Sequence, residues 1–209
     1  MLDRDVAFPD IKDWVVAAVR AFEARPAHRL VIRVHPSEVR LPGKRTRDSV
    51  GAYVRSVFPV LPPNVELIPA EDLRSSYPLM DASDVGLVYS STSGLELALR
   101  GTPVIVAAET HYRGKGFTLD AADPADFLSL LDKALDDPGS VEPDVEGARR
   151  YAHFFFFRAP LAAPAVVEPL PGLARITARD LTELAPGANP ALDRICAGIL
   201  EGTSFISDP

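Results

Sequence analysis

Cysteine is almost absent from this chain of 209 residues: Cys196 is the only one. One thiol can build neither an intrachain disulfide nor a thiolate metal centre. That usage fits a reducing compartment, and Ile195 and Ile199 around Cys196 place it on an expected buried helix face. Long apolar runs are lacking too, since no segment approaches the ~20 residues needed to span a bilayer. Met1-Leu2-Asp3-Arg4-Asp5 is too charged to read as a signal peptide. The expected location is the cytoplasm, with at most peripheral contact at the inner face of its membrane. Excess positive charge is also missing: 22 Lys and Arg face 29 Asp and Glu, a formal charge of -7. This argues against nucleic acid as a partner, and the one basic cluster, Lys44-Arg45-Thr46-Arg47, reads as a solvated loop. No G-x-G-x-x-G and no G-x-S-x-G occur, Gly43-Lys44 is followed by Arg45 where a P-loop needs Ser or Thr, and the four histidines have no metal-ligand spacing. Neither a metal nor a bound cofactor is expected.

What the chain does contain is a hydrophobic share of 47%, enough for one well-buried core with an appendage. Apolar residues at helical spacing predict helices over Asp10–Ala24, with Asp10 as cap, Asp48–Phe58, Gly94–Arg100, Asp123–Leu135, Val145–Arg158 and Asn189–Leu200. Asp72 is expected to cap a short or bent helix through Met80, because Pro78 interrupts it. β-Branched runs predict strands at Leu30–His35, Val65–Ile68, Val85–Tyr89 and Pro103–Ala107. Pro42-Gly43 marks a loop, and Gly101 with Pro103 is a helix stop. Strand and helix alternate, which predicts an α/β fold: a Rossmann-like parallel sheet flanked by helices. The expected division is a nucleotide-sugar-binding domain over 1–160 and, over 161–209, a proline-rich linker (Pro164, Pro169, Pro171) with a C-terminal helix packing on that domain. The loop-like opening reads as that of a piece cut from a longer chain.

In parallel sheets ligands bind beyond the carboxyl ends of the strands, and three marked segments fall there. His35-Pro36 ends the first strand; its imidazole suits a phosphate contact or a general acid, or simply a turn. Ser90-Ser91-Thr92-Ser93-Gly94 ends another and leads into the helix carrying Glu96. Four hydroxyls before a helix N-terminus suit an anion. Ser93 and Glu96 also have capping-box spacing, and Glu96 alternatively suits a ribose diol. The third segment, Glu109 to Gly116, offers Arg113 and Lys115 on a glycine-spaced loop, suited to closing over an anion or serving as an ordinary exposed loop.

Four segments, Arg33-Val34-His35-Pro36-Ser37-Glu38, Tyr89-Ser90-Ser91-Thr92-Ser93-Gly94-Leu95-Glu96, Gly101-Thr102-Pro103-Val104 and Tyr112-Arg113-Gly114-Lys115-Gly116-Phe117-Thr118, resemble the capsule polysaccharide biosynthesis family. Tyr151–Arg158 and Asn189–Cys196 are similar to that family's C-terminal region. The resemblance implies the C-terminal, donor-binding half of a GT-B glycosyltransferase of the kind that uses CMP-activated Kdo. It implies His35 at the donor phosphate and in leaving-group departure, with Pro36 shaping that turn near the base. It further implies Ser90, Ser91, Thr92, Ser93 and Gly94 around the phosphate, Glu96 at ribose or base, and Lys115 at a carboxylate or phosphate. The implied partners are a nucleotide-sugar donor, a glycan or glycolipid acceptor, and an N-terminal GT-B domain missing from this chain. The chain alone is therefore expected to lack a complete active site. A UDP-N-acetylglucosamine 2-epimerase-like enzyme and a non-catalytic nucleotide- or glycan-binding module are the alternatives.

Overall fold

A computed structural model describes residues 4–40, 48–162, 166–170 and 173–206. The basic cluster and the Pro42-Gly43 loop lie outside them. Two compact units divide the chain, Met1–Arg149 and Arg150–Pro209.

The first unit is mixed α/β. Helix α1 (Ile11–Glu23) starts where Asp10, in extended conformation, accepts hydrogen bonds from the amides of Lys12 and Asp13. Strand β1 (Leu30–Arg33), the single turn α2 (Ser37–Arg40), helix α3 (Val50–Val57, capped by Ser49) and β2 (Val65–Ile68) follow. β1 and β2 pair in parallel, Leu30 against Val65 through Arg33 against Ile68. The amide of Asn64 ties this turn down by donating to the carbonyls of Phe22, Arg25 and His28. The helix expected from Asp72 is only α4 (Tyr77–Asp81). Asp72 does not cap it; its carboxylate is bound by Arg74 instead.

Strand β3 (Gly86–Val88), helix α5 (Ser93–Leu99), β4 (Val104–Val106) and the two-residue β5 (Leu119–Asp120) form a second parallel sheet in the order β3-β4-β5. Gly101, at φ +80°, ends α5 in a left-handed conformation that favours glycine. Its amide reaches Ala98 and that of Thr102 reaches Leu97, which closes a Schellman motif. Helix α6 (Pro124–Asp136) repeats the start of α1, with Asp123 accepting from Ala125 and Asp126. The parallel strands thus pair as a two-stranded and a three-stranded sheet rather than one continuous ladder. They share a core: Leu30 and Val65 from one sheet and Ile105 from the other join Phe8, Val19, Phe22, Phe127 and Leu131 in one buried cluster. Phe8 meets Phe127 edge to face at 5.4 Å. Full burial of a ring such as Phe127 contributes about 1.5–3 kcal/mol.

Helix α7 (Val145–His153) runs into the second unit and continues as a π-helical turn, Phe154–Arg158, so the phenylalanine run is helical as expected. Within the second unit, the proline-rich stretch is not plain linker. It holds an antiparallel hairpin of β6 (Val166–Leu170) and β7 (Leu173–Ile176). Helix α8 (Pro190–Glu201) is capped by Asn189. Cys196 on α8 is exposed, contrary to the buried face that its isoleucine neighbours suggest. Among the described residues, no helix is long and apolar enough to cross a membrane.

Candidate functional site

The serine-rich turn leaves β3 and enters α5. Ser91 organises it: its Oγ accepts from the Ser93 amide at 3.2 Å and shares a hydrogen bond with Ser93 Oγ at 2.7 Å, while its carbonyl accepts from the Gly94 amide. The expected capping box does not form. Thr92 stands at the N-cap with helical dihedrals (φ -62°, ψ -20°) and makes no side-chain cap bond, and Ser93 is already the first helical residue. A cap needs an extended backbone to turn its oxygen toward the first amides. Two amides that an anion would use are therefore taken by Ser91. The hydroxyls of Ser90, Thr92 and Ser93, the last bonded to Ser91 Oγ, and the first-turn carboxylate of Glu96 lie on the same turn.

The loop after β4 is locked to this turn. Tyr112 is fully buried, and its Oη donates to the Ser91 carbonyl at 2.5 Å. Gly94 permits the approach, because a Cβ there would overlap the Tyr112 ring. Burial pushes the Tyr112 phenol above its ordinary pKa, and nearby Asp120 adds to the shift. His111 packs edge to face on Tyr112 at 5.0 Å. Its imidazole is held below the usual value by partial burial first and by the charge of Arg4 second.

Of the two cations expected to grip an anion here, Arg113 is already committed. Its guanidinium donates to the carbonyls of Val106 and Ala121, so it staples the carboxyl ends of β4 and β5. Lys115 sits exposed at the loop tip between Gly114 (φ +72°) and Gly116 (φ +88°). Asp120 holds the base of that loop, accepting from the Gly114 amide and from Thr118 Oγ1.

His35 stands exposed two residues beyond β1, in the other sheet. Its Nδ1 accepts from the Ser37 amide at 3.1 Å and lies 2.6 Å from Ser37 Oγ. With Nδ1 used as an acceptor, the neutral ring carries its proton on Nε2. Pro36 is half-buried in the same turn. The structure thus joins the serine-rich turn and the loop after β4 through Tyr112, which meets Ser91 and Gly94. It sets His35 and Pro36 at the equivalent edge of the β1–β2 pair, hydrogen-bonded within their own turn.

That edge carries a feature the sequence reading missed. Arg33 is no ligand residue: its guanidinium donates to the carbonyls of Val34, Pro69 and Asp72 and so ties the loops after β1 and β2 together. Beside it, Arg74 holds the Asp72 carboxyl down to a pKa of about 2, chiefly by hydrogen bonding. Between these loops and α2 and α3 opens a cleft of about 510 Å³, walled by Val34, Pro69 and Ala70 and by Glu38, Arg55 and Glu71. Glu38 Oε1 accepts weakly from the Val50 amide at 3.4 Å. Oε2 is buried and hydrogen-bonded to nothing. The one signal in the sequence is that Ser37-Glu38 follows His35-Pro36 directly. Among the described residues, no three His, Cys, Asp or Glu side chains lie together so as to hold a metal ion.

No family model matches the chain, and no curated protein matches it.

Proposed function

We propose that the first unit binds a nucleotide-sugar at the carboxyl edge of its parallel strands, as the donor-binding domain of a glycosyltransferase that assembles capsule or surface polysaccharide. The fold required is a Rossmann-like donor domain of GT-B type; the parallel α/β strands and their flanking helices are compatible with it. The donor in this reading is CMP-linked, such as CMP-Kdo, and the acceptor is a glycan or glycolipid held by a second domain. The observation that carries the reading is the Tyr112–Ser91 hydrogen bond, which joins two motif-bearing loops from successive strands into one rim. Ser90, Thr92 and Ser93 then donate to phosphate, Lys115 closes from its glycine-hinged tip, and His35 offers Nε2–H to a phosphate oxygen as negative charge develops on the departing nucleotide. These side chains bind and stabilise the leaving group; removal of the acceptor proton falls to the second domain.

Thermal melting of the purified chain with CMP, UDP or a CMP-sugar tests this. At a ligand concentration a hundredfold above Kd, binding adds about 2.7 kcal/mol, a rise on the order of 5–10 °C for a chain of this size. CMP and CMP-sugars are expected to produce it. Stabilisation by UDP alone would favour the epimerase-like alternative, and no response to any of them would overturn nucleotide binding.

A further inference from the structure

A buried carboxylate oxygen without a hydrogen-bond partner is costly, and native proteins keep few of them. Glu38 Oε2 is such an atom, and the Glu38 side chain stands in the wall of a cleft whose volume of about 510 Å³ lies within the range of small-molecule sites. We propose that this cleft receives the vicinal hydroxyls of a ribose ring, with Glu38 as their acceptor. The inference rests on the nucleotide reading above and goes beyond it by assigning the ribose to a residue and to a place.

The lining selects that chemistry. Val34, Pro69 and Ala70 offer an apolar surface to the carbon face of a sugar ring. Glu38 and Glu71 offer acceptors, and a carboxylate can take two vicinal O–H groups at once. Arg55 shares the wall and disfavours a cationic guest, and no third acidic or histidine ligand gathers here to make a metal site among the described residues. The hold on Glu38 is also weak: its one hydrogen bond, to the Val50 amide, is long at 3.4 Å. In the free chain Oε2 is covered, so the diol reaches the carboxylate only when the Glu38 side chain turns toward the cleft, a movement that breaks no more than the long Val50 bond. The cleft opens at the end of β1, the strand that also delivers His35, so ribose here and phosphate at His35 belong to one extended nucleotide.

Calorimetric titration of CMP and 2′-deoxy-CMP into the whole chain and into its Glu38→Gln variant tests the assignment, with the melting temperature of the variant recorded. Loss of one hydrogen bond to a charged acceptor predicts that the wild-type chain binds 2′-deoxy-CMP about tenfold more weakly than CMP. Glu38→Gln is expected to lower CMP affinity by a similar factor and to leave 2′-deoxy-CMP unchanged. If Glu38→Gln fails to fold, Glu38→Asp, which keeps the charge and draws the carboxylate back by one methylene, takes its place with the same expected outcome. Equal affinities for the two nucleotides, or discrimination that survives Glu38→Gln, would overturn the assignment while leaving nucleotide binding intact. A third titration uses a neutral hexose oligosaccharide. If this binds more tightly than CMP and depends on Glu38, the diol comes from a glycan and the ribose assignment falls. If neither nucleotide binds, both readings fall.

Discussion

At the scale of single residues, the structure sorts polar side chains that look alike in sequence into those bonded into the fold and those exposed at loop tips. Arg33 and Arg113 both stand near strand ends, yet the terminal nitrogens of each guanidinium donate to backbone carbonyls. Nothing in composition distinguishes them from Lys115, because the distinction depends on carbonyls contributed by distant segments. Tyr112 is the reverse case: a residue of the quoted motif that acts from beneath the rim, through Ser91. Its consequence is visible at alkaline pH. Tyr89 and Tyr112 both have phenols raised by burial, that of Tyr89 also by its hydrogen bond to Asp5. A phenol with a raised folded-state pKa contributes stability that is complete below the unfolded value of about 10 and is lost as pH climbs beyond it. Melting temperature is therefore expected to fall steeply above pH ~10. Tyr112→Phe should make that fall shallower while lowering stability at neutral pH by about 1 kcal/mol for the lost hydrogen bond. An alkaline melting profile unchanged by the substitution would contradict the role given to Tyr112.

Helix starts show, at the scale of elements, how far sequence reasoning reached. Asp10 and Asp123 each precede an apolar-periodic stretch, and each caps its helix with two backbone amides. β2 falls on its expected residues, because Pro62-Pro63-Asn64 isolates it. The turn into α5 was legible as a helix start but not as a geometry. Four adjacent hydroxyls leave open which one faces the amides, and Ser91 takes that place from two residues back. β5 is too short, at two residues, to show any periodicity, and Pro169 within β6 masks a hairpin. The contrast is measurable by substitution. Asp10→Ala removes a working cap and is expected to cost about 1 kcal/mol. Thr92→Ala removes a side chain with no cap bond and should change stability by less than about 0.5 kcal/mol. Equal losses in denaturant unfolding would show that Thr92 caps α5 after all.

For the whole molecule, strand–helix alternation identified the class, mixed α/β with parallel strands flanked by helices. It did not foresee that pairing divides the strands between two small sheets, since ladder continuity depends on register and strand length, which alternation does not encode. Nor did it foresee the cleft behind the His35 turn, whose walls come from four separate elements and their loops. The division into Met1–Arg149 and Arg150–Pro209 comes before the proline-rich stretch that marks the change in composition. The unit boundary falls inside a continuous helix, where composition carries no signal.

The central claim is that the loops beyond β1, β3 and β4 hold one nucleotide together. Amide hydrogen exchange of the whole chain, with and without saturating CMP, tests it most directly. The account predicts slower exchange in residues 35–38, in 90–96 and in 110–116 together, with the second unit unchanged. Protection confined to one of these segments, or appearing only in the second unit, would contradict it.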